Sequence, residues 1–361
     1  MAVRIEVMGQ EQFWEAISRK AREGRVPVEA MVELTYGCNL RCVHCYNPTH
    51  QAQGELDTAA FCRLIDELAE VGCLQIAFTG GEAMTRRDCL EIVSYAKAKG
   101  FQVALLTNAT LMTPEAADRI QALAPRREEV SIYGATPETY ERVTRVPGSY
   151  ARFVRGLDLL RQRRVPLLLK MPVMTLNAGE VAEARALAAS WGVEFVFSAE
   201  IFPRVDGSLE PLRYRLTPEQ VVRVHEELGG SARWRAEGGG EQQEQCGGTA
   251  GALFTCKCGV TSVTVTPYGQ MNLCTALPIP QYDLTAGTVA DGWRRLVALV
   301  ERANASPGPA YECPSCSLRD ECRQGPMNAW LETGDVSPCL PYFKELARLE
   351  RGGGTRDPRP H

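Results

Sequence analysis

Three cysteines in a CxxxCxxC spacing, Cys38, Cys42 and Cys45, lie in the stretch MVELTYGCNLRCVHCYNP at residues 31–48. An apolar, β-branched run from Met31 to Thr35 leads directly into them and reads as a buried strand. Gly37 reads as the turn that lets the backbone leave the strand end. Three thiolates on one short loop can hold three corners of an iron–sulfur cube. A fourth cysteine would close the site, whereas three leave one iron with an open position. An open iron binds a ligand and reacts with it, so the spacing points to chemistry more than to structure. The alternatives are three unrelated core cysteines or a zinc site. Zinc wants CxxC pairs and a fourth protein ligand; His44 is the candidate, but its place between two cysteines would strain the loop.

The chain has 361 residues, enough for two domains or one large one. A net charge of −4 gives no basic field to draw it to nucleic acid or anionic lipid. Residues 1–30 carry charges throughout and no apolar signal segment. No window holds 18 uncharged apolar residues, so no membrane span and a cytoplasmic location are expected. The 14 cysteines sit at tight spacings in a long chain, which reads as metal ligation rather than a disulfide scaffold.

Residues 10–24 read as an amphipathic helix carrying Phe13, Trp14 and Ile17. After the cysteine loop, helices (56–71, 88–99, 114–123, 150–163, 179–191) alternate with strands (74–78, 101–106, 130–133, 166–174, 193–198). Thr113 and Pro114 mark one helix start. Six βα-type steps predict an α/β fold, a partial (β/α)6 TIM-type barrel with its site at the carboxyl ends of the strands. Pro203, Pro211 and the glycines at 229–230 and 238–240 punctuate a polar bridge holding one helix, 218–228, capped by Thr217 and Pro218. A small cysteine-rich domain follows. The expected boundaries are 1–28 for a helical lead, 29–202 for the barrel, 203–243 for the bridge, 244–345 for the cysteine-rich domain and 346–361 for a flexible tail.

Thr79-Gly80-Gly81-Glu82 follows the second strand, where two glycines permit close backbone approach and Glu82 offers an acceptor to an ammonium group. With CNLRCVHCYNP and this GGE, residues 29 to 345 resemble a radical S-adenosylmethionine (SAM) enzyme. The resemblance implies a [4Fe–4S] cluster on Cys38, Cys42 and Cys45, whose open iron chelates SAM. Reduction then yields a 5′-deoxyadenosyl radical that abstracts hydrogen. It also implies that Tyr46 lies near the adenine, that Gly80, Gly81 and Glu82 hold the SAM amino group, and that Ser131 contacts the ribose. Arg142, with Arg145 second, would pair with the SAM carboxylate. Asn108 ends the third strand, and Asn177 beyond the fifth is either a ribose or adenine contact or a turn residue. The family often has Asp where Tyr133 stands.

Cys258 is followed by ten residues, Gly269, four residues and Cys274; then come Cys313, Cys316, Cys322 and Cys339. TSVTVTPYGQMNLC alternates like a hairpin turning at Pro267 to Gly269. This resembles the SPASM extension of radical SAM enzymes, which carries auxiliary iron–sulfur clusters. The family commonly has another cysteine shortly after the Cys322 position, where Gly325 and Pro326 stand here. Two four-cysteine sets are expected for one or two auxiliary [4Fe–4S] clusters: Cys246, Cys256, Cys258 and Cys274, and Cys313, Cys316, Cys322 and Cys339. Zinc is the alternative in either. Cys62, Cys73 and Cys89 are assigned to packing.

The resemblance implies an oxidoreductase that modifies a ribosomally made peptide or protein. Tailoring of a haem-type or other small molecule is a second reading, and a non-catalytic electron-transfer protein a third. Electron carriers close all their iron ligands, which the three-cysteine loop does not. A small reducing protein of flavodoxin or ferredoxin type is an expected partner. Peptide recognition, if it needs its own domain, would fall to a separate protein, because the lead before the first strand is too short to form one. The segment 199–215, with Glu200, Arg204, Asp206, Arg213 and Arg215, is expected to line the cleft.

Overall fold

The computed structural model describes residues 10–47, 49–228, 252–279 and 281–353. Strands β1 (Glu29–Thr35), β2 (Gln75–Gly80), β3 (Gln102–Thr107), β4 (Glu128–Ser131), β5 (Leu167–Pro172) and β6 (Glu194–Ser198) pair in parallel with their sequence neighbours. A helix follows each of the first five: α2 (Thr58–Glu70), α3 (Cys89–Ala98), α4 (Pro114–Leu123), α5 (Pro137–Thr144) with α6 (Ser149–Gln162), and α7 (Val181–Ser190). The lead helix α1 is Gln10–Gly24. The helix starts obey local chemistry. Asp57, Thr113 and Thr136 each accept a backbone N–H in the first turn of α2, α4 and α5.

Strand periodicity separates two faces. Val32, Ile76, Phe78, Val103 and Leu105 are at most 1% exposed and lie under the helices. Register puts Glu33 beside Thr79, and Ala77 beside Ala104, on the opposite, concave face. The sheet stays open, as the order β6-β5-β4-β3-β2-β1-β7-β8-β9 shows.

The cysteine-rich region is not a detached unit. Its first strand, β7 (Ser262–Val265), lies parallel to β1 with Glu29 opposite Ser262 and Val32 opposite Val265. The hairpin partner β8 (Gln270–Asn272) and β9 (Tyr282–Asp283) continue antiparallel. Helix α9 (Val289–Ala305) packs this region back on the barrel. Trp293 Nε1 donates to the Arg25 carbonyl at 2.6 Å, and the Val289 N–H donates to Glu67 Oε2 at 2.7 Å.

The bridge contains α8 (Pro218–Glu227), closed by a capping box between Thr217 and Gln220. The tail expected from residue 346 is instead helical to residue 353. Helix α11 (Pro341–Gly353) buries Phe343, Leu346 and Ala347, apolar side chains that hold it to the fold. Residues 354–361 lie outside the described ones. Among the described residues no helix is long and apolar enough to cross a membrane.

Candidate active site

The cysteine loop leaves β1 at the carboxyl edge of the sheet and is tied down from every side. Leu40 and Val43 are buried in the core. The Arg41 and Val43 N–H groups donate to the Thr144 and Val143 carbonyls at the end of α5, both at 3.0 Å. Asn39 Nδ2 donates to Thr110 Oγ1 at 2.7 Å, and Asn108 Nδ2 donates to Asn39 Oδ1 at 3.0 Å. Asn47 Nδ2 closes the loop onto the Tyr36 carbonyl at 2.8 Å. Backbone hydrogen bonds and buried apolar anchors therefore fix the path on which the three thiols sit.

The double glycine works by close packing. Gly80 has φ +136°, and a Cβ there would stand 2.2 Å from the Thr35 carbonyl oxygen. A Cβ on Gly81 would stand 2.5 Å from Gly37 O and 2.6 Å from Tyr36 O. In their absence, the Gly81 N–H donates to Thr35 O at 2.7 Å and the Glu82 N–H to Gly37 O at 2.9 Å. The end of β2 thus meets the root of the cysteine loop backbone to backbone.

Cys38, Cys42 and Cys45 are half-buried and feel one another electrostatically. Burial pushes the Cys38 thiol up to about 11 and raises those of Cys42 and Cys45. Uncompensated thiolates are unfavourable here, and a cationic iron centre held by the three sulfurs would supply the missing counter-charge. Three sulfur donors on one clamped loop fit the corner irons of a cubane. His44 stands between Cys42 and Cys45. Its ring lies 5.4 Å from that of Tyr133, and its buried Nδ1 has no hydrogen-bond partner.

The remaining predicted site residues fall into two groups. Tyr46 reaches the concave face, where its hydroxyl donates to Glu33 Oε1 at 3.0 Å. Ser131 faces that side at the end of β4, paired with Lys170. The others are engaged by the protein itself. Glu82 accepts from Thr107 Oγ1 at 2.8 Å, Asn108 N at 2.7 Å and Met84 N at 3.1 Å. Asn177 donates to the Tyr133 and Pro172 carbonyls, both at 3.0 Å, and accepts from Met174 N at 2.8 Å, so it braces the ends of β4 and β5. Arg142 donates to the Leu176 carbonyl at 2.5 Å beside that brace. In the cleft segment, Arg215 is buried and structural. It pairs with Glu332 at 2.6 Å, donates to Ile201 O and stacks 4.7 Å from the Tyr342 ring centre. Arg204 pairs with Glu210 at 2.9 Å.

Glu33 was not foreseen. It is 1% exposed, accepts from Tyr46 and, at 3.4 Å, from the Tyr36 hydroxyl, and burial pushes its carboxyl up to about 7. The signal was an ionisable residue in the middle of a strand otherwise apolar, Met31-Val-Glu-Leu-Thr.

The second cysteine region assembles two groups. Cys258 lies within hydrogen-bonding reach of Cys256 and Cys274; its thiol is raised while theirs are lowered, as for one donor shared by two acceptors. Cys246 lies outside the described residues. Cys313, Cys316, Cys322 and Cys339 are half-buried, with burial and their neighbours' charge raising Cys313, Cys322 and Cys339. Of the cysteines assigned to packing, Cys73 and Cys89 are buried, but Cys62 is half-exposed on α2.

Fold and site define an α/β enzyme with an open parallel barrel, bearing a three-thiol loop at its mouth and a cysteine-rich extension on the β1 side. Residues 32–188 match the radical SAM superfamily. The chain is 30% identical over 320 residues to the mycofactocin maturase MftC of Mycobacterium ulcerans, covering 85% of each chain. It is 38% identical over 162 residues to the AdoMet-dependent heme synthase of Methanosarcina barkeri, covering 44% of this chain and 46% of that one. In fold it is similar to the crystal structure of Streptococcus suis SuiB bound to its precursor peptide SuiA, with TM-score 0.69 at 12% identity, covering 95% of this chain and 83% of SuiB. The chain belongs to the radical SAM superfamily.

Proposed function

We propose that this enzyme cleaves SAM reductively and directs the radical to a side chain of a ribosomally made peptide, forming a crosslink, an oxidation or an epimer. The observation that carries the reading is the clamped three-thiol loop at the mouth of an open sheet, in a chain aligned over 85% of its length with the mycofactocin maturase MftC. Cys38, Cys42 and Cys45 would hold the cluster that binds SAM, and together these supply an electron and a carbon radical able to abstract hydrogen.

This chain's own residues shape the rest. Gly80 and Gly81 keep the mouth free of side chains where SAM would enter, and Glu82 holds β2 to β3 beneath it. Tyr46 and Ser131 line the concave side as cofactor contacts. Asn108, Asn177 and Arg142 act on SAM chiefly by fixing the strand ends. The two outer cysteine groups would hold auxiliary clusters. The second, with four thiolates, keeps its geometry through redox change and suits removal of an electron from the substrate. A cytoplasmic flavodoxin- or ferredoxin-type protein would supply reducing equivalents, and a separate recognition protein would present the peptide.

A haem-type substrate is the second reading, supported by the 38% identity to a heme synthase. The test incubates the reconstituted enzyme with SAM, reductant and either a candidate short precursor peptide or a porphyrin precursor. Mass spectrometry of both is expected to show change in the peptide alone. Turnover of the porphyrin with an unchanged peptide overturns the assignment.

A further inference from the structure

We propose that Met327 supplies a fourth, thioether ligand to the cluster held by Cys256, Cys258 and Cys274. The inference rests on the auxiliary cluster assigned to that group above. Cys256, Cys258 and Cys274 all pack against the buried core around the β7–β8 hairpin, where Cys258 bridges to Ser262 and Cys274 to Leu277. A fourth sulfur joins them, for Met327 Sδ lies 4.0 Å from Cys274 Sγ. The contact spans 53 residues of sequence, so tertiary folding and not a local turn brings it about.

The backbone presenting Met327 is firmly placed. It opens helix α10 (Pro326–Thr333), where the Gly325 N–H donates to Asn328 Oδ1 at 2.8 Å. Pro326, Asn328 and Ala329 around it are buried. The far end of the helix is pinned by Glu332 to Arg215. Only the side chain is adaptable: with three rotatable bonds, Met swings its sulfur over several ångströms without moving the helix. It is also chemically suited, since thioether is a soft donor of the kind iron–sulfur centres accept.

The ligand type has a consequence. A neutral thioether in place of a thiolate leaves the cluster one negative charge short, and lower negative charge raises the reduction potential. A first auxiliary site ligated this way is easier to reduce than one closed by four thiolates.

The test uses full-length, anaerobically reconstituted protein and does not depend on turnover. In selenomethionine-labelled enzyme, selenium-edge X-ray absorption is expected to show an iron neighbour at bonding distance. Met327→Leu, which keeps volume and removes the donor, is expected to abolish that iron shell and shift the auxiliary cluster's electron paramagnetic resonance signal. Met327→Cys is expected to retain the iron and lower the potential. The proposal is overturned if the selenium spectrum has no iron shell, or if M327L and M327C leave signal and potential unchanged. It also fails if Cys246→Ala removes the cluster while M327L does not. A wild-type protein whose iron content and spectra match those of the C256A/C258A/C274A variant overturns it together with the cluster assignment. An unchanged cluster in M327L overturns it alone.

Discussion

Replacing Gly81 by Ala adds a single methyl group and should disable the site. The new Cβ would sit 2.5 Å from the Gly37 carbonyl oxygen and 2.6 Å from that of Tyr36, nearly an ångström inside ordinary contact. Both obstacles are backbone, so no rotamer relieves the clash. The strand end and the root of the cysteine loop must separate. Overpacking of this kind costs about 1–3 kcal/mol. Separation also stretches the bond from the Glu82 N–H to Gly37 O, now 2.9 Å, whose loss adds about 1 kcal/mol. A total of roughly 2–4 kcal/mol is expected in chemical denaturation, together with reduced iron at the Cys38 group. Gly179→Ala is the matched control, because a Cβ there meets nothing within 4 Å. If G81A unfolds at the wild-type denaturant midpoint and takes up the full complement of iron, the close-packing account of the double glycine is wrong.

Three further outcomes follow from the same geometry. Burial raises Glu33 from 4.5 to about 7, so the folded state holds a proton that the unfolded chain has released; the stability this contributes is complete below pH 4.5, is lost as pH rises to 7 and amounts to about 3 kcal/mol. Glu33→Gln should flatten that part of the stability–pH profile of the cluster-free protein, and an unchanged profile would sink the assignment. Arg215→Met leaves Glu332 without its partner at a site only 9% and 18% exposed, and should cost about 3 kcal/mol in denaturant unfolding, with a loss under 1 kcal/mol counting against the pairing. Cys322→Ala should leave SAM cleavage intact but stop product formation; normal product would make the second auxiliary group structural.

What could be read in advance follows from how local each signal is. The alternation of apolar runs with amphipathic stretches exposed the six parallel strands, because each keeps apolar residues on the face that the helices cover. Thr113-Pro114 and Thr217-Pro218 announced their helices, since the cap is built from adjacent residues. The same signature at Thr136-Pro137 went unread, and α5 with it. The pairing of β7 with β1 was not legible: it joins residues more than 200 positions apart, and an apolar alternating strand does not name its partner. Helices α9, α10 and α11 were likewise absent from the reading, although Val289–Ala305 holds neither proline nor cysteine and opens on a local Thr288 cap. At the site, the cysteine spacing marked the loop that leaves β1. It did not reveal that Asn177 and Arg142 brace strand ends, which depends on where the Tyr133 and Leu176 carbonyls fall in space.

The central claim is that Cys38, Cys42 and Cys45 carry the SAM-cleaving cluster. The most direct measurement is the 5′-deoxyadenosine formed by anaerobically reconstituted enzyme given SAM and a strong reductant. Wild type should produce it. The C38A/C42A/C45A variant should produce none while still binding iron at its auxiliary cysteines. Continued formation of 5′-deoxyadenosine by that variant would contradict the account.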